Sequence, residues 1–290
     1  MPQKTRIAPT PSGFLHRGNL FAFALNWLMA RKEGLSILLR IDDLDRQRYR
    51  PEYLEDIFRS LDALGLDYDE GPHSIDDFEK NWSQKNREDL YLAALQNLEE
   101  REALFACNCS RKDILARTAD GFYDGHCLER NFKWQDSENL SLRWKKNSGE
   151  IVLQGWQQAQ RSDELSTALA YPILYSKDGH VAYQLSSLVD DLHFGISHIL
   201  RGEDLFDSSI CQALIAESLD LKAFQAIKFH HHPLLMDGSR KLSKSQAAPA
   251  AEIYRNSTAR KMLLQDLKSY LGIPSGESLN ELLQEFKESS

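Results

Sequence analysis

Residues 4–19, KTRIAPTPSGFLHRGN, constrain the fold of this chain more than any other stretch. The segment starts apolar and β-prone, passes through two prolines and a glycine, and continues into a helical pattern. Apolar residues recur at helical spacing after Asn19, until Gly34 ends the pattern. The sequence therefore predicts a strand, a rigid turn and a helix that begins just beyond His16.

The predicted helix end is suited to anion binding. A helix N-terminus carries a partial positive charge and N–H groups without intrahelical partners, so a phosphate chain is well held there. The imidazole of His16 would add a further donor. An ordinary turn with His16 on the surface is the alternative. A second motif, GSRKLSKS at residues 238–245, helps to choose between the two interpretations. It is a small cationic loop that follows the apolar run 229–236.

The two motifs together resemble the paired signature of the class I aminoacyl-tRNA synthetases, an early His-x-Gly and a later Lys-Leu-Ser-Lys-Ser. The resemblance implies a Rossmann-type nucleotide-binding fold that uses ATP and Mg²⁺. It also implies that His16 and Lys244 are catalytic, with His16 donating to the phosphate and Lys244 holding the departing pyrophosphate. The ATP-binding residues that it implies are His16, Gly18, Lys241, Ser243 and Lys244.

Length and composition set the broader class. The chain has 290 residues and 42% hydrophobic content, enough to bury a sizeable core in about two domains. No stretch approaches the roughly 18 apolar residues of a membrane span, and no basic-then-apolar leader opens the chain. A soluble, cytoplasmic protein without membrane partners is therefore expected. The net charge of −8 argues against a general nucleic-acid coat, so any RNA contact should be local.

A second strand is predicted at residues 35–41, a short apolar run bounded by a glycine and by charge. Asp42, Asp43 and Asp45 follow it, at the strand end where ligands of open α/β sheets bind. These carboxylates can bind a metal, a ribose or an ammonium group, and a solvated acidic turn is the alternative. A later helix is predicted at about residues 83–101, with a core stripe of Leu90, Ala93, Ala94, Leu95 and Leu98.

Three of the four cysteines lie within residues 107–127, too few and too uneven for a disulfide framework. These thiols can meet the imidazole of His126 or the phenol of Tyr123 if the segment folds back at Gly121. Zinc prefers such ligands in a closed tetrahedron and can hold together a small insertion with little core. Free thiols in a loop are the alternative. Cys211 is expected to be an ordinary core residue on a helix.

Further motifs narrow the resemblance to the catalytic core of the glutamyl-tRNA synthetases, over roughly the first 250 residues. They are residues 6–16, 40–45, 64–71, 189–191, 199–205 and 241–245. The glutamate site of that family maps onto Arg6, Ile7, Ala8, Pro9, Thr10, Asp42, Tyr183 and Arg201. Several positions depart from the pattern. Asp42 replaces a glutamate and is one methylene shorter, and Arg17 replaces an apolar residue. Asn19 also replaces a smaller residue, Ser187 an asparagine, and Tyr171-Pro172 an Asp-Phe pair.

The thiol segment resembles the glutamyl-queuosine tRNA(Asp) synthetases, and so does the end of the chain where a glutamyl-tRNA synthetase would continue into an anticodon-binding domain. The zinc ligands at the matching positions are Cys107, Cys109, Tyr123 and Cys127, with His126 in reserve. The resemblance implies a monomeric, ATP-dependent ligase that transfers glutamate to the queuosine base of tRNA(Asp).

Three other functions stay open at this stage. The first is a variant ligase for another amino acid or another tRNA, and the second is an unrelated nucleotidyltransferase. The third is an impaired paralogue that only binds tRNA or nucleotide, which Asp42 and Arg17 favour.

The expected fold class is α/β, a class I synthetase-type Rossmann fold with an inserted zinc-containing subdomain and C-terminal helices. Residues 1–103 and 181–250 would form the two halves of the catalytic domain, around an insertion at 104–180. Residues 251–290 would form helices that pack on the catalytic domain or contact RNA. Three consecutive histidines, 230–232, are interpreted as structural, because successive residues of a strand point to opposite faces.

Overall fold

The fold was taken from a computed structural model that describes residues 3–130, 139–145, 149–237, 240–241 and 256–289. Ser243 and Lys244 of the predicted lysine loop lie outside the described residues, and Lys241 is described in its backbone only. The chain forms two compact units. Met1–Asn86, Ile196–Glu203 and His230–Ser290 make the first unit, and Arg87–Gly195 and Asp204–Phe229 make the second.

Helices and strands alternate along most of the chain. In chain order they are β1 (Lys4–Ile7), α1 (Arg17–Glu33), β2 (Ser36–Leu39), α2 (Pro51–Leu64), α3 (Ile75–Asp77), α4 (Glu88–Glu100), β3 (Leu104–Cys107), α5 (Arg111–Arg117), β4 (Ser141–Trp144), β5 (Glu150–Gly155), β6 (Arg161–Glu164), β7 (Ile173–Tyr175), α6 (Tyr183–His193), β8 (His198–Gly202), α7 (Phe206–Ser218), α8 (Lys222–Gln225), β9 (Lys228–His232), β10 (Met236–Asp237), β11 (Arg240–Lys241), α9 (Ser257–Leu271) and α10 (Leu279–Glu288). None of the helices described is long and apolar enough to span a bilayer.

The first unit begins with the predicted strand, turn and helix. β1 and β2 are parallel, with Lys4 opposite Ser36, and α1 connects them as a βαβ unit. Because α1 is buried on nearly all sides from Leu20 to Ala30, it forms the centre of this unit. It ends at Gly34, whose φ of 70° suits a residue without a side chain.

The C-terminal helices pack against α1. Tyr270 of α9 meets the ring of Phe21 edge-on, with ring centroids 5.7 Å apart. At the other end of α1, Lys32 Nζ lies 3.7 Å above the ring of Phe286 of α10. Ser278 caps α10, since its side chain accepts a hydrogen bond from the N–H of Glu281.

The second unit combines helices with short antiparallel sheets. One sheet has the order β3-β4-β7, and β5 pairs with β6 as a hairpin. A buried ion pair joins α6 to the residue that precedes α4, because Arg87 donates to both carboxylate oxygens of Asp190 at 2.8 and 3.0 Å. The predicted core stripe of α4 is right for Leu95 and Leu98 and wrong for Leu90 and Ala93, which are exposed, while Ala94 is half-buried. Tyr91 is buried instead, and its hydroxyl also donates to Asp190.

Candidate active site and metal centre

Residues 8–18, the turn before α1 together with the first two residues of that helix, are here called the signature turn. His16 is the N-cap residue of α1, and its Nδ1 accepts a hydrogen bond from the N–H of Gly18 at 3.1 Å. Asn19 completes the cap, since its Oδ1 accepts the N–H of His16 at 3.2 Å. A ring nitrogen that accepts a hydrogen bond carries no proton, so the neutral imidazole has its proton on Nε2. The cap therefore selects the tautomer in which Nε2 is a donor.

Gly18 lies close to this ring. A Cβ atom at residue 18 would lie 3.0 Å from Cε1 and 3.1 Å from Nδ1 of His16, closer than side chains normally approach. A larger residue would therefore require the imidazole to shift by a few tenths of an ångström. The spacing His-x-Gly thus favours the observed position of the ring.

The signature turn is also tied to neighbouring elements of the first unit. The N–H of Leu15 donates to Oδ2 of Asp56 on α2 at 2.9 Å, and Asp56 is almost fully buried. Further back, the N–H of Asp42 donates to the carbonyl of Pro9 at 2.9 Å. Sequence reasoning missed Asp56, since its neighbours on α2 read only as an apolar face.

Buried charges gather around the ends of the strands of this unit. Arg6 of β1, Arg40 after β2 and Arg201 of β8 are each at most 5% exposed. Nη1 of Arg6 donates to the carbonyl of Leu200, next to Arg201, at 3.3 Å. Arg40 donates two hydrogen bonds to Asp42, from Nε to Oδ1 at 2.8 Å and from Nη2 to Oδ2 at 3.2 Å. Buried guanidinium groups require anionic or hydrogen-bonding partners, and Asp42 is one such partner of Arg40.

The other predicted glutamate-site residues divide between the units. Ile7 and Pro9 are buried, Ala8 is half-buried and Thr10 is exposed, all in the signature turn or the end of β1. Tyr183 belongs to the second unit, where it is the first residue of α6 and 41% exposed.

The predicted acidic turn is only partly solvated. Asp43 is 2% exposed and accepts hydrogen bonds from the hydroxyl of Ser83 at 2.7 Å and the N–H of Gln84 at 2.8 Å. Nη1 of Arg46 donates to it at 2.6 Å. Asp43 therefore anchors this loop, whereas Asp42 lies with the buried arginines. The sequence alone did not separate these neighbouring carboxylates.

The three clustered cysteines meet in the second unit. The Sγ atoms of Cys107, Cys109 and Cys127 all lie within 4.8 Å of one another, and those of Cys109 and Cys127 are 3.5 Å apart. Gly121 has a φ of 74°, which lets the segment fold back as predicted. The hydroxyl of Tyr123 accepts the N–H of Cys127 at 2.8 Å, next to the thiols. Zinc–sulfur bonds of about 2.3 Å in a tetrahedron place sulfur atoms about 3.8 Å apart, so the donor set fits this ion.

The ionisation of these groups depends on their crowding. Burial raises the pKa of the Cys107 thiol, but hydrogen bonds with Tyr123 and Arg143 outweigh it, and the net pKa lies below the ordinary value. Burial and the neighbouring Cys127 raise the pKa of Cys109 to about 11. Burial and the hydrogen bond with Cys107 also raise the pKa of Tyr123. A cation among these donors would favour their charged forms.

His126, the reserve ligand, lies outside the thiol cluster. Its side chain is directed to the surface, where Nε2 lies 2.8 Å from Nη2 of Arg130. Cys211 is a fully buried core thiol of α7, as predicted, and burial raises its pKa to about 12.

Residues 3–288 match the family model of the tRNA synthetases class I (E and Q), catalytic domain. The chain therefore belongs to this family and is an aminoacyl-tRNA synthetase-like enzyme of the glutamyl-tRNA synthetase type. The predicted resemblance and the class I synthetase fold are thereby confirmed. For this family, ATP, Mg²⁺, glutamate and tRNA are the implied reactants.

The relatives narrow this class. The chain is 34% identical to the Glutamyl-Q tRNA(Asp) synthetase of Symbiobacterium thermophilum, over 92% of this chain and 86% of that protein. It is 37% identical to the protein of the same name from Parasynechococcus marenigrum, over 84% and 74% of the two chains.

A solved structure supports the fold. The glutamate-tRNA synthetase of Elizabethkingia anophelis superposes with a TM-score of 0.69 at 23% identity, over 84% of this chain. The chain spans about half, 53%, of the length of that protein.

Proposed function

We propose that this protein activates glutamate with ATP and transfers it to the queuosine base of tRNA(Asp). The observation that carries the proposal is the burial of Arg6, Arg40, Asp42 and Arg201 in the same compact unit as the His16 cap. Arginines suit the two carboxylates of glutamate, and the carboxylate of Asp42 suits its ammonium group. The names of the Glutamyl-Q tRNA(Asp) synthetase relatives support the choice of acceptor.

The reaction has two steps. A carboxylate oxygen of glutamate attacks the α-phosphorus of ATP, the bond to the β-phosphate breaks, and pyrophosphate leaves with its electron pair. A hydroxyl of the acceptor then attacks the mixed anhydride, so that an ester forms, AMP leaves and the hydroxyl proton is released. Negative charge grows on phosphate oxygens in the first step, so fixed donors stabilise the transition state.

The residues of the signature turn supply these donors. Nε2 of His16 donates to a phosphate oxygen, and the N-terminus of α1 adds its partial positive charge. Gly18 allows the close approach that the ring needs. Lys241, Ser243 and Lys244 would complete the ATP site, with Lys244 on the pyrophosphate. Mg²⁺, when bound to the nucleotide, neutralises part of the phosphate charge.

The amino acid would lie at the ends of β1, β2 and β8. Arg6 and Arg201 would bind the side-chain carboxylate, and Asp42, held in orientation by Arg40, would bind the ammonium group. Residues 7–10 would line the same site.

The thiol cluster is proposed as a zinc site, with Cys107, Cys109, Cys127 and Tyr123 as ligands. When bound, zinc would hold together a module that has few large buried residues: Phe105, Cys107 and Cys127 are its buried cluster, with Cys109, Tyr123 and Tyr171 packed around them. Residues 104–180 would then form the inserted subdomain, between catalytic halves at 1–103 and 181–250, with a helical segment at 251–290.

The activation step is tested by ATP–pyrophosphate exchange with each amino acid in turn, with and without tRNA. We expect exchange with glutamate. The absence of exchange with every amino acid would refute activation by this chain.

The acceptor is tested with labelled glutamate and tRNA(Asp) from cells that make queuosine and from cells that cannot. Transfer is expected only to the first, and it should survive removal of the 3′-terminal adenosine. Transfer that requires that adenosine would show loading of the tRNA end and refute the proposed acceptor.

One observation favours a second candidate, a ligase for a different amino acid. Both oxygens of Asp42 are engaged by Arg40, which reduces the charge available to a substrate ammonium group. The same exchange assay decides, because exchange with an amino acid other than glutamate would select this candidate.

A further inference from the structure

The first residue of α1 is a cation, although the helix dipole disfavours one there. Arg17 also departs from the apolar residue common at this position in the family it resembles. Nε of Arg17 lies 3.1 Å from Oδ2 of Asp266 on α9. Both atoms are buried and the contact lacks hydrogen-bond geometry, so it is an ion pair only. Burial raises the pKa of Asp266, and the charge of Arg17 offsets that rise in part. The carboxylate therefore offsets a charge that the helix end alone would disfavour.

This ion pair connects the C-terminal helices to the signature turn. Nη1 of Arg17 also contacts the sulfur of Met262, one turn earlier on α9, at 3.9 Å. Farther along α1, Phe21 packs on Tyr270, and Lys32 donates to the carbonyl of Phe286 at 2.6 Å. The helices α9 and α10 thus contact α1 near both of its ends, and the Arg17 contact is adjacent to His16.

The residues on either side of His16 each contact a carboxylate. On one side, Asp56 accepts the N–H of Leu15, and on the other, Asp266 pairs with Arg17. The cap formed by the His16 ring sits between these anchors. A shift of either anchor would move the imidazole, and a misplacement of about 1 Å can cost a hundredfold in rate.

We propose that Arg17 and Asp266 are positioning residues for His16, through which helix α9 contributes to the activation step. The inference rests on the proposed function, since it assigns His16 to the phosphates of ATP. It predicts that the pair acts on kcat, because the pair fixes the position of the donor and does not touch glutamate.

A charge-reversal variant separates the effect of the ion pair from the effect of the helix dipole. Arg17→Asp places a carboxylate where the helix dipole favours one, yet opposes it to Asp266. If the dipole alone mattered, this variant would be as good as wild type or better. We expect kcat for ATP–pyrophosphate exchange to fall about tenfold with KM for glutamate unchanged. Arg17→Asp with Asp266→Arg should recover kcat to within about threefold of wild type.

Lys32→Met is the matched control, because Lys32 attaches the same C-terminal helices to the opposite end of α1. This variant should lower the melting temperature and leave kcat unchanged. If it lowers kcat as much as Arg17→Asp does, the effect is general loosening and the inference is wrong. It is also wrong if Arg17→Asp keeps full kcat, or if the folded double variant recovers none of it.

Hydrogen exchange of peptides covering residues 15–21 provides a readout that does not depend on activity. Arg17→Asp should speed exchange in this segment, and the double variant should restore it. Unchanged exchange would overturn the positioning role even if the enzyme is active. Silence of the wild-type enzyme with every amino acid would instead refute the proposed function, and the exchange result would still decide the positioning role.

Discussion

Replacing Asp42 by glutamate tests how the charged pocket works. The family resemblance alone suggests that a longer side chain would improve glutamate use. The structure leads to the opposite expectation, because Arg40 already grips both oxygens of Asp42 at 2.8 and 3.2 Å. One more methylene moves the carboxylate by about 1.5 Å, so both hydrogen bonds cannot be kept.

The expected cost follows from this geometry. Losing one hydrogen bond between charged groups costs about 1.5–3 kcal/mol, and Arg40 is only 2% exposed, so water cannot replace it. Because this hydrogen bond is present in the free enzyme, its loss should appear first as a lower melting temperature. The value of kcat/KM for glutamate should also fall, by about tenfold or more, because the carboxylate would no longer be held where the proposed function requires it.

The assay is ATP–pyrophosphate exchange at saturating ATP, with glutamate and aspartate as substrates. Asp45→Glu is the matched control, since Asp45 lies on the same loop but pairs with Arg48 at the surface. It should leave both kcat/KM and stability unchanged. A rise in kcat/KM for glutamate in Asp42→Glu, without a loss of stability, would refute the role of Arg40 argued above.

Four further predictions concern the cap, the lysine loop, the metal and pH. His16→Asn should keep the helix cap but lower kcat by at least about a hundredfold, and His16→Ala should in addition lose about 1 kcal/mol of stability; equal activity of wild type and His16→Asn would exclude the imidazole from the chemistry. Lys244→Ala should lower kcat for ATP–pyrophosphate exchange and leave the melting temperature unchanged, when both are measured on the same preparation. Zinc analysis should give about one equivalent per chain, lost in Cys109→Ser and kept in Cys211→Ala, and a well-folded, metal-free wild type would contradict the site. Burial raises the pKa of Asp69, but the N–H of Ile37 and Arg31 outweigh it and the net pKa is lowered, so its contribution to stability is present above the unfolded-state pKa and is lost as the pH falls through the folded-state value. Asp69→Asn should therefore make the melting temperature fall less steeply below about pH 4. The stabilising free energy that Asp69 loses on protonation is well under about 1 kcal/mol, because its side chain is nearly half exposed.

Local patterns determined much of the fold in advance. The start of α1 after His16 and its end at Gly34 follow from capping and from glycine, which act within a few residues. The meeting of the thiols follows from Gly121 in the same way. The exposure of Leu90 was missed because a helical stripe fixes a spacing but not which of two adjacent faces is buried.

Contacts between distant residues could not be predicted from the sequence. Asp56 on α2 accepts the N–H of Leu15, and Asp43 accepts hydrogen bonds from Ser83 and Gln84, about forty positions away. The local sequence around a carboxylate does not show whether it lies in a surface turn or anchors a buried loop. The difference depends on hydrogen-bond partners that the tertiary structure brings from elsewhere in the chain.

Two of the departures from the family pattern are each matched by a partner that the sequence did not reveal. The shorter carboxylate of Asp42 is held by Arg40, two residues earlier, and the cation of Arg17 lies beside Asp266, about 250 residues later. Such pairing lowers the cost of burying a charge, and a chain needs it for stability whether or not it is active. Activity therefore separates the proposed ligase from an impaired paralogue, since only the ligase would exchange pyrophosphate with glutamate. Under the proposed function both substitutions are adjustments of a site in which Nδ1 of His16 accepts the N–H of Gly18 and Nε2 donates to phosphate.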